Sequence, residues 1–381
     1  MKPLHLYIHF PFCRTKCRYC DFVSYPFGSY EDYVQYLFLV KQELVQKIEA
    51  FSLASAELTT VYFGGGTPSL VKAEEWHSLL QFLSQFFRFS SSLEITLEVN
   101  PGTVKKEDLI DFQQVGITRL SIGVQSTRGE MLRFLNRPYS INQVEKILEE
   151  VRMLNFSSWN ADLLYSLPFQ FKQDWEEELK RLLIFDPPHL SIYNLTLSLP
   201  ASLYSFQKYH PLAFPSSDSE ADWFYWTMQF LGSKGYRQYE ISNFARPGAE
   251  CKHNQAYWTS QDYLGLGVAA WSYLGGERHK NTDWLKNYIS KINNKVLPIV
   301  FREKLSAKER LQEEIMLSLR TIKGVSISDI AYRYPDFDLN YLQEKLLFFT
   351  NEGFLLTDGD RFWFSPSGIL LANQILSEVV D

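Results

Sequence analysis

Cysteine is scarce in this chain: four residues in 381. That is too few for a disulfide scaffold of the kind small secreted domains need. Long apolar runs are missing too. No uninterrupted stretch approaches the roughly 18 residues of a membrane-spanning helix, so none is predicted. The opening Met-Lys-Pro-Leu-His-Leu-Tyr has no apolar region with a cleavage site, so no secretory leader is expected and a cytoplasmic protein is. Excess positive charge is also lacking, with 38 Lys and Arg against 44 Asp and Glu and a net charge of -6. Nucleic acid as the main partner is thereby disfavoured, because phosphate binding needs a basic surface or stripe. Neither a fixed-period repeat nor a low-complexity segment occurs. What the chain does have is 45% hydrophobic residues, which excludes global disorder and allows a substantial core. Its length predicts two or three domains, or one large barrel with an appendage.

Short β-rich runs alternate with longer helical patterns over the first half. Strands are predicted at 4–9, 59–63, 93–99, 118–124, 158–164 and 189–195. Helices are predicted at 30–49, 73–87, 104–115, 140–154 and 172–184. Ser29 with Asp32, and Ser140 with Gln143, have the spacing of capping boxes, and Gly116 suits a helix C-terminus. Such alternation implies βαβ units and a parallel sheet. Six units fit an α/β partial (β/α)6 TIM-like barrel spanning residues 1–200. Barrel sites lie past the C-terminal ends of strands, and every unusual motif falls there. The cysteine cluster follows strand one, Gly64-Gly65-Gly66-Thr67-Pro68 follows strand two, and Glu98 ends strand three. Gln125 ends strand four, Asp162 lies in strand five, and Thr196 follows strand six. A composite site on one rim is expected. The alternation fades over 201–304, read as a connecting region packed on the barrel. Residues 305–381 carry two helical patterns (306–320 and 339–350) and a hairpin with a tight turn at Asp358-Gly359. They read as a winged-helix-like α+β appendage.

Three of the four cysteines, Cys13, Cys17 and Cys20, lie in one Cys-x3-Cys-x2-Cys loop. A tetrahedral zinc site wants four ligands, usually from two knuckles, and an Fe–S cube normally takes four protein ligands. The loop is one ligand short of either. A zinc site completed by His5, His9 or Cys251 is one reading, giving a zinc-stabilised structural protein. A cluster with one iron open to a small molecule is the other.

Together with the preceding Tyr7-Ile-His-Phe-Pro-Phe12, the loop resembles the signature of the radical S-adenosylmethionine (SAM) superfamily. The resemblance implies a [4Fe–4S] cluster held by Cys13, Cys17 and Cys20. SAM then chelates the open iron, and an electron from the cluster cleaves its sulfonium. It also implies a cofactor-binding set of Tyr7, Tyr19, Gly65, Gly66, Thr67, Glu98, Gln125, Arg137, Asp162 and Thr196, while catalytic residues stay unassigned. Within the superfamily, Tyr62-Phe-Gly-Gly-Gly-Thr-Pro68, Glu98-Val-Asn-Pro101, Arg119-Leu-Ser-Ile-Gly-Val-Gln-Ser126 and Asp162-Leu-Leu-Tyr-Ser-Leu-Pro168 resemble the group containing oxygen-independent coproporphyrinogen III oxidase and the HemW-type heme chaperones. The oxidase has a long N-terminal extension and a further Cys two residues after the third, where Phe22 stands here. Cys251-Lys-His253-Asn254-Gln-Ala-Tyr257-Trp258 resembles the His-Asn-x-x-Tyr-Trp motif of the chaperones. That resemblance implies heme as cargo, His253 as a candidate heme ligand, Cys251 as a possible thiolate, heme-acceptor proteins as partners, and an electron donor if SAM is cleaved. The sequence departs from the pattern at Tyr139, Ser198 and Trp271, where relatives often carry His, Glu and His. Metal analysis after anaerobic reconstitution separates the readings: iron with sulfide is expected, and zinc without either would leave only the structural one.

Overall fold

The fold is described from a computed structural model covering residues 2–26, 28–54, 56–154 and 156–380. Six strands, β1 (Pro3–Phe10), β2 (Glu57–Gly65), β3 (Arg88–Val99), β4 (Arg119–Gln125), β5 (Ser158–Tyr165) and β6 (His189–Asn194), pair in sequence order and all in parallel. Between them run α1 (Tyr30–Phe51), α2 (Ala73–Leu83), α3 (Lys106–Gln114), the short α4 (Gly129–Phe134), α5 (Ile141–Met153) and α6 (Lys172–Leu182). The Ser29/Asp32 and Ser140/Gln143 capping boxes open α1 and α5, satisfying amide groups that the first helical turn leaves without partners. Apolar and polar residues alternate along the strands: on β1, Leu4, Leu6, Ile8 and Phe10 join Trp76, Leu79 and Leu83 of α2 in one core, and His5 and His9 between them are buried too. Burial on both faces is what a parallel sheet requires. The expected partial barrel is the observed architecture.

The segment 201–304 does more than connect. After α7 (Ser202–Tyr209) and α8 (Ser217–Ser233), β7 (Arg237–Gln238) and β8 (Asn243–Ala245) extend the sheet antiparallel beyond β6. The chain then crosses back through α9 (Lys252–Trp258) to β9 (Tyr263–Leu266), which pairs in parallel with β1. Next come β10 (Trp271–Leu274) and β11 (Glu277–Asn281), then α10 (Leu285–Asn293) and β12 (Ile299–Lys304). They complete a single 12-stranded sheet. Strands of two to six residues are too short to show a period, and their pairing is set by the edges they meet.

Residues from α11 (Ala307–Leu319) onward form a second core of their own. It holds α12 (Ile327–Arg333), α13 (Asn340–Asn351) and a three-stranded sheet of β13 (Val325–Ser326), β15 (Arg361–Phe364) and β14 (Leu355–Thr357). Gly359 takes φ +108° at the hairpin turn, a conformation glycine adopts without cost. No helix among the described residues is long and apolar enough to cross a membrane.

One buried ion pair ties α1 to the edge extension. Lys47 and Glu43 are 1% and 0% exposed and 2.8 Å apart. Lys47 Nζ also donates to Gly265 O on β9 (2.8 Å) and Asn281 Oδ1 on β11 (3.1 Å). Glu43 accepts from Gly267 N (2.7 Å), Asn281 Nδ2 (2.6 Å) and the Tyr288 hydroxyl (2.7 Å). Removing one partner strands the other charge in the interior, so Lys47→Met should lower unfolding free energy by about 3–5 kcal/mol in denaturant titration.

Candidate functional site

A cavity of about 650 Å³ opens at the C-terminal ends of the six parallel strands. Cys13, Cys17, Tyr19 and Cys20 line it from the loop after β1, and Gly65, Gly66 and Thr67 from β2 and the turn that follows. Glu98 and Gln125 come from the ends of β3 and β4, Asp162 from within β5, Thr196 from just past β6, and Arg137 from the turn before α5. The rim motifs therefore meet in one place. Tyr7 and His253 do not line this cavity: Tyr7 faces a second one, and His253 is buried in the wall.

The cysteine loop is held at its base. It leaves β1 and returns through a two-residue parallel pairing of Phe12–Cys13 with Tyr25–Pro26. The Tyr7 hydroxyl donates to His9 Nδ1 (3.0 Å), whose Nε2–H donates to Val23 O (3.0 Å). Gly66 N bonds Phe10 O at 2.7 Å, and a Cβ at Gly66 would stand 2.6 Å from Phe12 O. Gly65 sits at φ +109°, where a Cβ would strike the His9 ring at 2.5 Å. Only glycine lets the β2 turn lie this close under the loop.

Polar groups then close around the thiols. Thr67 Oγ1 lies 3.6 Å from Cys13 Sγ. Arg137 Nη1 donates to Cys17 Sγ and to the Tyr19 hydroxyl, each at 3.1 Å, and Nη2 to Gly123 O at 3.1 Å. Its Nε donates to the Tyr139 hydroxyl at 2.5 Å, which itself donates to Gly123 O. Tyr139, where relatives often place His, thus positions Arg137. Burial raises the Cys13 thiol and pushes Cys20 up to about 11, so both hold their protons until a cation displaces them.

Across the cavity, Glu98 accepts from the Tyr62 hydroxyl and from Gly65 N, each at 3.0 Å. Tyr62 was missed as a site residue, although it shares a strand face with Thr60 and Gly64. Asp162 accepts from Asn160 Nδ2 (2.6 Å) and Ser121 Oγ (3.3 Å). Burial raises Asp162, and burial together with Asp162 pushes Glu98 up to about 7.

Among the described residues lining the cavity there is no histidine and no fourth cysteine. Cys251 is fully buried, and its thiol meets Glu94 Oε1 at 3.4 Å. Burial pushes that thiol up to about 12. His5 is tied to Thr60 and Gln261, and His9 to Tyr7 and Val23. No three His, Cys, Asp or Glu side chains among the described residues converge on a single metal ion. A cube asks for something else, one thiolate on each of its irons, and three thiols on one loop facing a cavity lined by no further thiol or imidazole among the described residues suit it.

Known proteins agree. Residues 7–182 match the radical SAM superfamily and residues 305–371 the HemN C-terminal domain. The heme chaperone HemW of Bacillus subtilis is 31% identical over 97% of both chains. That of Escherichia coli is 37% identical over 71% of this chain and 70% of its own. The chain belongs to the HemW family of radical SAM proteins. The solved coproporphyrinogen III oxidase (HemN) of Escherichia coli, described as a radical SAM enzyme, superposes with a TM-score of 0.87. It is 27% identical and covers 99% of this chain and 90% of that one. Family membership implies a [4Fe–4S] cluster and SAM, and the cysteine cavity has the donor set and the volume for them.

The raised Glu98 carboxyl has a consequence for stability. Unfolded, it titrates near 4.5, and folded, near 7. Between those values the folded chain holds more protons, so this group's contribution falls as pH rises through that window and is flat above it. Without ligands, the melting temperature of Glu98→Gln relative to wild type should rise from about pH 5 to about pH 8. A difference independent of pH contradicts the assignment.

Proposed function

We propose that this protein is a cytoplasmic heme chaperone, which binds heme and delivers it to acceptor proteins while carrying a [4Fe–4S] cluster and SAM. The observation that carries the reading is α9. This short helix presents His253 as a neutral imidazole, held down to about 3 chiefly by burial and then by His5 and Arg119. A neutral imidazole is the form that ligates iron. The full-length likeness to proteins named heme chaperone HemW supports the same conclusion.

In the cysteine cavity, Cys13, Cys17 and Cys20 hold the cluster. Gly65, Gly66 and Thr67 receive the amino-acid end of SAM close to the backbone. Glu98, Gln125, Arg137 and Asp162, with Tyr19 and Thr196, complete the cofactor-binding set, and Tyr7, outside the cavity, supports the loop through His9. Arg137 has a fixed guanidinium and can pair a carboxylate while steadying Cys17. When bound, the cluster supplies the electron for SAM cleavage, which requires an electron donor protein. What these residues do themselves is orient the ligand and hold the Glu98 carboxyl up near 7.

Hemin titration of the anaerobically reconstituted protein tests the reading. A shifted Soret band is expected in wild type, with affinity weakened about tenfold or more in His253→Ala. An absent shift, or one unchanged in the variant, removes the site assignment. The likeness to coproporphyrinogen III oxidase favours that activity as a second reading. Protoporphyrinogen formed from coproporphyrinogen III with SAM and reductant would establish it.

A further inference from the structure

His253 sits between two cavities, and its hydrogen bonds assign which nitrogen faces which. Thr60 Oγ1 lies 2.9 Å from His5 Nδ1 and 2.6 Å from His253 Nδ1, and Thr59 Oγ1 lies 3.3 Å from His5 Nδ1. Nδ1 of His253 therefore faces the hydroxyls of β2, and Nε2 faces Tyr257, whose hydroxyl lies 2.8 Å away. The nitrogen open to an iron from the aromatic side is covered by one hydroxyl.

The two sides of the ring differ. Toward the cysteine cavity, the Tyr62 ring stacks on His253 at 5.0 Å and 28°, and its hydroxyl is committed to Glu98. Tyr257 instead lines the second cavity, of about 590 Å³, together with Tyr7, Tyr263, Trp271 and Tyr273. Trp271 remains 42% exposed there. The cations of this cavity are already engaged, Arg278 with Glu303 and Glu313, and Lys280 with Asp283. It therefore offers a porphyrin aromatic faces rather than partners for its propionates.

Resting on the heme-chaperone reading, we propose that Tyr257 is the latch of the heme site: its hydroxyl caps His253 Nε2, and heme iron reaches that nitrogen from the aromatic cavity when the hydroxyl moves off. The latch makes iron ligation compete with one hydrogen bond. Removing a neutral hydrogen bond of about 1 kcal/mol corresponds to about fivefold in affinity.

The test is hemin titration of the full chain, comparing wild type, Tyr257→Phe, His253→Ala and Trp271→Ala, with iron-free protoporphyrin IX as a second probe. Tyr257→Phe is expected to bind hemin about fivefold tighter, with protoporphyrin IX binding unchanged and the Soret shift lost in His253→Ala. Trp271→Ala is expected to weaken both probes. Thermal unfolding of each apoprotein establishes that the variants are folded. If wild type binds hemin through His253 but Tyr257→Phe binds no tighter, the latch is overturned while the chaperone reading stands. Hemin binding unaffected by His253→Ala, or no binding in wild type, overturns both, the first through the ligand and the second through the cargo. Trp271→Ala without effect on either probe overturns entry from the aromatic cavity.

Discussion

A six-stranded parallel barrel that does not close leaves two strand edges with unpaired amides and carbonyls. Everything after β6 in the first core is organised by that constraint. Such edges have to be paired or covered. On one side β8 and β7 do so, antiparallel to β6. On the other, β9 lies parallel to β1, and a parallel partner demands a crossover. The crossover carries α9, and so the segment that satisfies the sheet edge also brings His253 behind the cysteine cavity. Glu94 fixes its landing, accepting from Lys252 N and His253 N at 3.1 Å each. The Glu43–Lys47 pair fixes the far side, where α1 grips β9 and β11.

The same desolvation acts against charge on several carboxyls, thiols and imidazoles around the site. It raises Glu98, Asp162, Cys13, Cys20 and Cys251, and it lowers His253 and His5. Two guanidiniums are exceptions: the burial of Arg137 is offset by Tyr139, Tyr19 and Cys17, and that of Arg119 by Cys251 and Glu94. The cavity thus sets two buried guanidiniums, Arg119 and Arg137, among carboxyls that burial holds up. A cluster that deprotonates the thiols brings its own compensation, and Arg137 is already bonded to one of those sulfurs. The neutral His253 follows from the same cause, without any carboxylate to orient it.

The six strands, their helices and the rim motifs were legible because each rests on local pattern: β-rich runs, capping boxes, and glycines at strand ends. The appendage was legible for the same reason, down to the turn at Gly359. What escaped were elements too short to repeat a pattern several times, such as α4, α12 and the strands from β7 to β13, the longer α8, whose SDSEADWFYWTMQFLGS shows no clear apolar stripe, and contacts made only by closure of the sheet. Tyr139 looked like a departure from the family pattern, yet it bridges Arg137 to Gly123 O. Tyr62 sat inside a quoted motif with no role until Glu98 was placed opposite it. That the wall rather than the cysteine cavity holds His253 depends on where β9 lands, which no spacing encodes. Cys251, read beside His253 as a thiolate, turns its sulfur the other way, to Glu94.

The two cavities share more than a wall. Asp21 and Phe22, the residues that follow Cys20, line both of them. Lys16 Nζ donates to Phe22 O at 2.6 Å, and Ser198 Oγ to Asp21 at 2.7 Å, so their position is tied to the cysteine loop and to the segment after β6. Metal binding orders the loop that carries its ligands, and here that loop ends in the side of the aromatic cavity. Tyr62 makes the second connection, bonded to Glu98 on one side and stacked on His253 on the other. A protein that only carried a planar cargo would still need the cysteine loop in place, because the loop builds part of the surface on which that cargo would rest.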